Sequence, residues 1–164
     1  MATVYLSLGT NVGDRVVNLA RALAALPGVV ACSSIYETEP WGLAEQPRFL
    51  NLCCQVETRL PPQELHAELK RIERELGRQP SVQWGPRLID IDLLTYDDLV
   101  MQTEALTVPH PRIADRAFVL VPLAEIAPDL RIPGLPGTVS EQLAAMPDAP
   151  RQAWWFNRAP ARPP

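Results

Sequence analysis

Hydrophobic and polar residues alternate in four segments of the chain, and this pattern predicts four β-strands. The segments are 3–8, 29–36, 49–58 and 88–96. Successive side chains of a strand point to opposite faces, so the third segment separates into two sets. We expect one set to face the core (Leu50, Leu52, Cys54 and Val56) and the other to face away from it (Phe49, Asn51, Cys53 and Gln55).

Two segments between these strands repeat their apolar residues at helical spacing. The first follows Asp14, a typical N-cap, and ends at Pro27-Gly28; the second begins at Pro61-Pro62 and ends at Gly77. The apolar stripes are Val16, Leu19, Ala20, Leu23 and Leu26 in the first helix and Leu65, Leu69, Ile72 and Leu76 in the second.

The order β-α-β-β-α-β predicts an α+β fold of the ferredoxin-like, split βαβ type with a central antiparallel sheet. A third helix is expected within 108–126. The proline-rich segment 131–164 is expected to be helical or irregular, and its aromatic residues to dock it onto the rest of the protein. These residues are Trp154, Trp155 and Phe156.

Length and composition favour one soluble cytoplasmic domain, 1–164. A chain of 164 residues with 47% hydrophobic residues can bury a substantial core. It has no run of about eighteen apolar residues, so no membrane span is expected. Its three cysteines, Cys32, Cys53 and Cys54, form neither a CxxC pair nor an even-numbered framework, which indicates reduced thiols.

The charges argue against nucleic acid as the main partner, because the net charge is −4. Among fifteen basic residues only Lys70 is a lysine. Any bound phosphate would therefore be held mainly by arginine guanidinium groups.

Asp90 and Asp92 stand one residue apart in the segment WGPRLIDIDLL. The strand period places both carboxylates on one face, with Ile89, Ile91 and Leu93 on the other. Neighbouring carboxylates repel each other, and Mg²⁺ typically takes one or two protein carboxylates together with waters and substrate phosphates. The pair is a candidate metal–nucleotide site, although a solvated strand face explains it equally well.

Arg78 and Arg87 precede this strand and could reach phosphates bound above the two aspartates. Arg87 could instead form an ion pair with Asp90 or Asp92. The chain contains neither GxxxxGK[ST] nor GxGxxG, so no Walker or Rossmann loop is predicted.

A second group of residues suits a planar heterocycle. Phe49 and Asn51 lie on the face of the third strand that points away from the core, Trp41 precedes that strand and Phe118 lies downstream. Rings can stack on a heterocycle while an amide pairs with its edge, but such aromatic residues also commonly belong to a core. His110 could bind phosphate or ribose, or could cap the following turn.

Three segments together resemble the 6-hydroxymethyl-7,8-dihydropterin pyrophosphokinase family of folate biosynthesis. They are YETEPWGLAEQPRFLN, WGPRLIDIDLL and VPHPRIADRAFVLVPLAEIAPDL, and the resemblance covers about 3–130, leaving 131–164 as an extension. It implies a ferredoxin-like fold, ATP and two Mg²⁺ ions. It also implies transfer of pyrophosphate from ATP to the pterin hydroxymethyl group, leaving AMP, by a protein that we expect to be monomeric.

The resemblance also implies roles for individual residues. Asp90 and Asp92 would bind both Mg²⁺ ions, and Arg78 and Arg87 would be catalytic. The ATP site would comprise Glu73, Arg78, Trp84, Arg87, Thr107, His110 and Arg116, and the pterin site Thr38, Trp41, Phe49, Asn51 and Phe118.

One loop departs from the family pattern. In many relatives this loop has a sequence like GRxRxxRWGPR, whereas here it is GRQPSVQWGPR, with Pro80 and Gln83, and it is one residue shorter than in some relatives. The number of loop arginines that reach ATP, and the way the loop closes over the site, are therefore not implied by the resemblance.

Two other functional classes are compatible with parts of the pattern. Another Mg²⁺-dependent nucleotidyl or glycosyl transferase could use the same aspartate pair without a pterin pocket. A ferredoxin-like binding module would carry Asp90 and Asp92 as surface charges.

Overall fold

The protein was analysed as a computed structural model that describes residues 1–40, 45–81 and 83–160. Its strands are β1 (Ala2–Thr10), β2 (Val29–Cys32), β3 (Ile35–Thr38), β4 (Phe49–Thr58), β5 (Asp90–Tyr96), β6 (Met101–Gln102), β7 (Thr107–Val108) and β8 (Ala153–Asn157). Its helices are α1 (Arg15–Ala25), α2 (Pro62–Glu75), α3 (Ala117–Ile126), α4 (Val139–Ala144) and α5 (Ala149–Gln152). Within these residues, no helix is both long and apolar enough to cross a membrane.

The predicted α+β fold with a central antiparallel sheet is confirmed. The strands lie in the order β5-β1-β4-β3-β8, with β2 also pairing with β4, and β6 and β7 form a separate hairpin. Each pairing in the large sheet is antiparallel. This is the ferredoxin-like arrangement expected from the element order.

The two faces of the sheet bury different clusters of apolar residues. On one face, α1 and α2 cover the even-numbered residues of β1 and β4. The second face carries Cys53 and Leu94 beneath α3, together with residues of the C-terminal segment. Because α3 covers only part of this second face, the adjoining part remains open to ligands.

The first two helices begin and end at the capping and breaking residues that the sequence predicted. The Asp14 side chain accepts a hydrogen bond from the Val17 amide at 3.2 Å and so caps α1. Pro62 begins α2, and Gly77 follows it with φ +98°, a conformation that glycine adopts without steric cost.

Several strand boundaries differ from the prediction, including that of the first strand, which spans Ala2–Thr10 rather than 3–8. The predicted strand 29–36 is two strands, because Ser33 and Ser34 interrupt it and bond to other groups. The fourth strand begins at Asp90 rather than residue 88.

The C-terminal segment is more regular than expected. It contains α4 and α5, and residues 153–157 form β8, which pairs with β3 at the end of the sheet. Trp154 and Phe156 lie beside Arg48 and Arg15, whose guanidinium carbons are 5.0 Å and 5.7 Å from the ring centroids. The assignment of 1–164 to a single domain stays a prediction.

Candidate active site

A cavity of about 380 Å³ opens on the second face of the sheet, beside α3. Its floor is β1, which lies between β5 and β4 in the sheet and contributes Ser7 and Gly9. In the strand register Ser7 is opposite Asp92, while Gly9 is opposite both Asp90 and Asn51. Two small residues on β1 therefore leave space between the carboxylates of β5 on one side and the Asn51 amide of β4 on the other.

Asp90 and Asp92 face this cavity from β5, as the strand period predicted. Burial raises the pKa of Asp92 to about 7; the charge of Asp90 adds to this effect, and Lys70 and Arg116 oppose it. The Asp92 carboxylate is therefore poorly compensated by protein cations alone. An additional cation at this point would favour the ionised pair.

This raised pKa predicts a pH-dependent loss of stability when metal is removed. Asp92 binds a proton more tightly in the folded protein than in the unfolded chain, where its pKa is about 4. Its contribution to the free energy of unfolding is therefore complete below pH 4 and is lost as the pH rises to about 7. In EDTA, Asp92→Asn should match the wild-type melting temperature at pH 4 and exceed it at pH 8 by roughly 5 °C.

Thermal melts of the two proteins from pH 4 to pH 9 would check this prediction. Subtracting the melting temperatures of the wild type from those of Asp92→Asn at each pH removes the contribution of other groups. One of these is His110, whose lowered pKa makes its contribution to stability increase, not decrease, as the pH rises. A difference that does not change with pH would contradict the prediction.

Arg78 links Asp90 to α2. Its Nη1 lies 2.9 Å from Asp90 Oδ1 and 2.6 Å from Glu73 Oε2. Burial lowers the pKa of Arg78, but the charges of Asp90 and Glu73 outweigh this effect, and the pKa lies above its ordinary value. Arg78 is therefore a fixed positive charge at the rim of the carboxylate pair.

Glu73 lies behind this site rather than on the cavity wall. It is 2% exposed, and its Oε1 accepts hydrogen bonds from the Ile91 amide at 2.7 Å and from Lys70 Nζ at 3.0 Å. Its carboxylate thus holds Arg78 and the backbone between the two aspartates. This placement makes Glu73 a support for the site rather than part of the surface facing a ligand.

Arg112 and Arg116 bring positive charge to the opposite wall, around Trp84. Their guanidinium carbons lie 5.1 Å and 5.4 Å from the indole centroid. Arg116 Nη1 is also 3.8 Å from Asp92 Oδ2, and Arg87 lines the same cavity. Together with Arg78, these guanidinium groups surround a space next to the carboxylates that suits a polyphosphate.

His110 is a neutral hydrogen-bonding group in this wall. Burial, reinforced by the charge of Arg116, lowers its pKa to about 4. Its Nδ1 accepts a hydrogen bond from the Arg112 amide at 3.1 Å. At neutral pH its proton is therefore on Nε2, which can donate to an anionic oxygen.

The far end of the cavity combines aromatic rings with an oriented amide. Phe49, Phe118, Asn51 and Thr38 all line it. Asn51 is 4% exposed, and its Nδ2 donates to Thr38 Oγ1 at 2.6 Å. This end suits a flat, polar-edged molecule between rings.

A second cavity of about 250 Å³ shares Asp92, His110 and Pro111 with the first. It lies between α2 and the β6–β7 hairpin and is lined by His66, Lys70 and Thr107 among others. Thr107 is therefore next to the main cavity rather than in it.

The sequence matches one protein family over most of its length. The model of the 7,8-dihydro-6-hydroxymethylpterin-pyrophosphokinase family matches residues 5–128. The chain belongs to this family. It is 49% identical over 151 residues to the 2-amino-4-hydroxy-6-hydroxymethyldihydropteridine pyrophosphokinase of Methylorubrum extorquens, covering 89% of this chain and 94% of that protein. The corresponding protein of Aquifex aeolicus is 45% identical, covering 79% and 83%.

Solved structures of the family have the same fold. The HPPK-DHPS protein of Plasmodium falciparum with pteroate superposes with a TM-score of 0.74 at 17% identity, over 88% of this chain. A triple mutant of that protein gives 0.72 at 18% identity. The chain spans less than half of these solved chains, 42% and 43% respectively.

Most of the residues that the sequence predicted for this family's site meet in the main cavity. They are Thr38, Phe49, Asn51, Arg78, Trp84, Arg87, Asp90, Asp92, His110, Arg116 and Phe118. Glu73 and Thr107 lie outside its lining, and Trp41 falls outside the described residues. Their individual roles remain predictions.

The sequence alone did not identify several residues that line the cavity. Ser7 and Gly9 carry no chemical signal, and only the strand register reveals them as the floor. Arg112 could have been noticed as a second arginine in the segment VPHPRIADR. Gln83 also lines the cavity, at a loop position where many relatives were expected to carry arginine.

Proposed function

We propose that this chain transfers the pyrophosphoryl group of ATP to the hydroxymethyl oxygen of 6-hydroxymethyl-7,8-dihydropterin in folate biosynthesis, using Mg²⁺ bound at Asp90 and Asp92. Membership of the family supports the reaction. The observation that carries the assignment of the site is the single cavity in which the paired carboxylates, several arginines and a ring-and-amide pocket adjoin.

The aspartate pair fits Mg²⁺. The described residues contain no group of three or more histidine, cysteine, aspartate or glutamate side chains that could hold a metal. Two carboxylates would thus need waters and phosphate oxygens to complete the coordination, which is the preference of Mg²⁺. When bound, two Mg²⁺ ions would offset phosphate charge and favour ionisation of the hydroxymethyl group.

The ATP polyphosphate is proposed to lie between the aspartates and the arginines. Arg78 and Arg87 would stabilise the negative charge that develops on the α-phosphate oxygen as its bond to the β-phosphorus breaks and AMP leaves. Arg116 and the Nε2–H group of His110 would hold phosphate oxygens from the other wall. Trp84 would support this wall through its contacts with the arginines.

The nucleoside of ATP is proposed to extend into the second cavity. This cavity adjoins the carboxylates at Asp92 and is bounded by Thr107. Burial, followed by the charge of Lys70, lowers the pKa of its His66, so the imidazole is a neutral neighbour for a purine. Glu73 would contribute indirectly, by fixing Arg78.

The pterin is proposed to occupy the aromatic end of the main cavity. Phe49 and Phe118 would stack on its two faces, and Asn51 and Thr38 would bond to its edge. Trp41 is also expected to contribute to this pocket. The hydroxymethyl group would then point along the floor toward Asp90 and Asp92.

A Gly9→Ala variant should weaken pterin binding selectively. A Cβ atom on Gly9 would stand 2.5 Å from Asn51 Oδ1 and 3.7 Å from the Phe49 ring. Asn51 would have to move away from Thr38, so the KM for the pterin should rise about tenfold while the KM for ATP changes little. Steady-state kinetics with each substrate varied in turn would test this.

Gly134→Ala is a suitable control for that variant. Gly134 has φ +84°, and an added Cβ would meet no atom within 4 Å, so only backbone strain is introduced. Equal pterin KM values for the two variants would argue against the proposed position of the pterin.

One assay tests the proposed function. Protein, ATP, Mg²⁺ and 6-hydroxymethyl-7,8-dihydropterin should yield AMP and the pterin diphosphate in equal amounts, and EDTA should stop the reaction. Formation of ADP, or dependence on a sugar nucleotide, would contradict the proposal. So would the absence of any reaction.

We also expect the active species to be a monomer.

A further inference from the structure

We propose that Asn11 is a positioning residue that ties the loop 45–48 to the loop 83–87 and thereby fixes Arg87 at the cavity. The role assigned to Arg87 rests on the proposed function. The tether itself rests on the hydrogen bonds at the end of β1.

Asn11 is 3% exposed and bonds to both loops. Its Nδ2 donates to Gln46 Oε1 at 3.1 Å and to the Pro47 carbonyl at 2.9 Å. Its Oδ1 accepts from the Arg87 amide at 2.8 Å, and its own amide donates to the Arg87 carbonyl at 3.0 Å. The backbone of Arg87 is thus held on both sides by one residue.

Gln46 closes the link between the two loops. Its Nε2 donates to the Trp84 carbonyl at 2.7 Å while its Oε1 accepts from Asn11. Trp84 has φ +62°, a left-handed conformation that is unfavourable for a bulky residue. The bond from Gln46 holds this strained residue next to the arginines that flank its ring.

The chemistry of an amide is required at position 11. An aspartate there would still accept from the Arg87 amide but could donate to neither Gln46 nor Pro47. The Gln46 amide could rotate to donate to the new carboxylate, but its oxygen would then face the Trp84 carbonyl. Either orientation loses a bond between the loops, although the shape of the side chain is unchanged.

Asn11→Asp in the full chain tests the proposal, with Asn18→Asp as the matched control. Asn18, in the first turn of α1, also donates two hydrogen bonds, to Thr10 Oγ1 at the end of β1 at 3.1 Å and to the Val12 carbonyl at 2.7 Å, and contacts neither loop through them. For Asn11→Asp, kcat should fall about tenfold to a hundredfold with less than about a threefold change in the KM for ATP. Amide hydrogen exchange across 83–88 should accelerate. Asn18→Asp should change neither quantity.

Gln46→Glu provides a second, milder variant on a less buried residue. Its carboxylate can accept from Asn11 but cannot donate to the Trp84 carbonyl, so it should accelerate exchange in 83–88 and lower kcat. A double variant that combines Asn11→Asp with the uncharged Gln46→Ala breaks the same link without a second carboxylate, so it should lose less activity than the product of the losses in Asn11→Asp and Gln46→Ala alone.

The two proposals fail in distinguishable ways. If the wild-type protein forms no AMP, the proposed function is wrong, while the exchange measurement still tests the tether. Unchanged exchange across 83–88 in both variants would overturn the tether, as would an unchanged kcat despite faster exchange. A kcat loss in Asn18→Asp equal to that in Asn11→Asp would reduce the effect to general instability.

Discussion

Asp92→Asn should abolish AMP formation, lowering kcat by about a thousandfold or more, while the protein remains folded. Bound metal ions contribute several kcal/mol of charge stabilisation to such reactions, and each 1.36 kcal/mol corresponds to a tenfold change in rate. The amide is nearly the same size as the carboxylate but has no negative charge. Since Asp92 is crowded by Asp90, its loss should also relieve the repulsion described above.

The decisive comparison pairs turnover with stability. Asp92→Asn should show no measurable turnover at any practical Mg²⁺ concentration and, in EDTA at pH 8, a melting temperature above that of the wild type. Asp98→Asn, an exposed carboxylate just beyond the same strand, should leave both quantities near wild-type values. Retained turnover at ordinary Mg²⁺ would exclude Asp92 as an essential ligand.

Arg87→Ala should lower kcat by about a hundredfold to a thousandfold with only a small change in ATP affinity. The proposed partner of Arg87 is the charge that appears as the bond between the β-phosphorus and the α-phosphate oxygen breaks. An interaction made mainly in the transition state affects kcat rather than substrate binding. Steady-state kinetics combined with direct binding of a non-hydrolysable ATP analogue would separate the two effects.

Two further variants define what Arg87 supplies. Arg87→Lys keeps the charge but not the planar pair of donors, so its activity should lie between those of wild type and Arg87→Ala. Arg21→Ala removes an exposed arginine from α1 and should have no effect. If Arg87→Ala mainly weakened ATP binding, Arg87 would be a ground-state contact and not a catalytic residue.

The sequence was most informative where local pattern and tertiary environment agree. The strand Phe49–Thr58 has the predicted bounds, because its apolar residues alternate regularly and pack against the helices on one face and, at Cys53, beneath α3 on the other. Asp90 and Asp92 lie on the predicted face for the same reason. The surroundings of the two aspartates were harder to predict from the sequence, since the ion pair of Asp90 with Arg78 joins residues twelve positions apart across a loop.

Other features depended on contacts that no local pattern reveals. β8 was not predicted, because its residues Ala153–Asn157 acquire strand geometry by pairing with β3, more than a hundred residues earlier in the chain. The residues around Gly9 have the pattern of an ordinary strand. The need for glycine at this position follows from the close approach of the Asn51 side chain on the neighbouring strand. Glu73 was expected to face the nucleotide, but the structure directs its carboxylate to the backbone of Ile91.

The bond between Glu73 and the Ile91 amide also determines how the end of the sheet interacts with other molecules. β5 is the last strand on its side, and an exposed strand edge is a template for aggregation. Glu73 accepts from the amide of Ile91, and Lys70 donates to its carbonyl at 3.3 Å, so two side chains occupy the positions of a missing strand. A second chain adding to this edge would have to displace Glu73, which would also release Arg78. The shielding of this strand edge and the position of Arg78 in the proposed active site therefore depend on the same carboxylate.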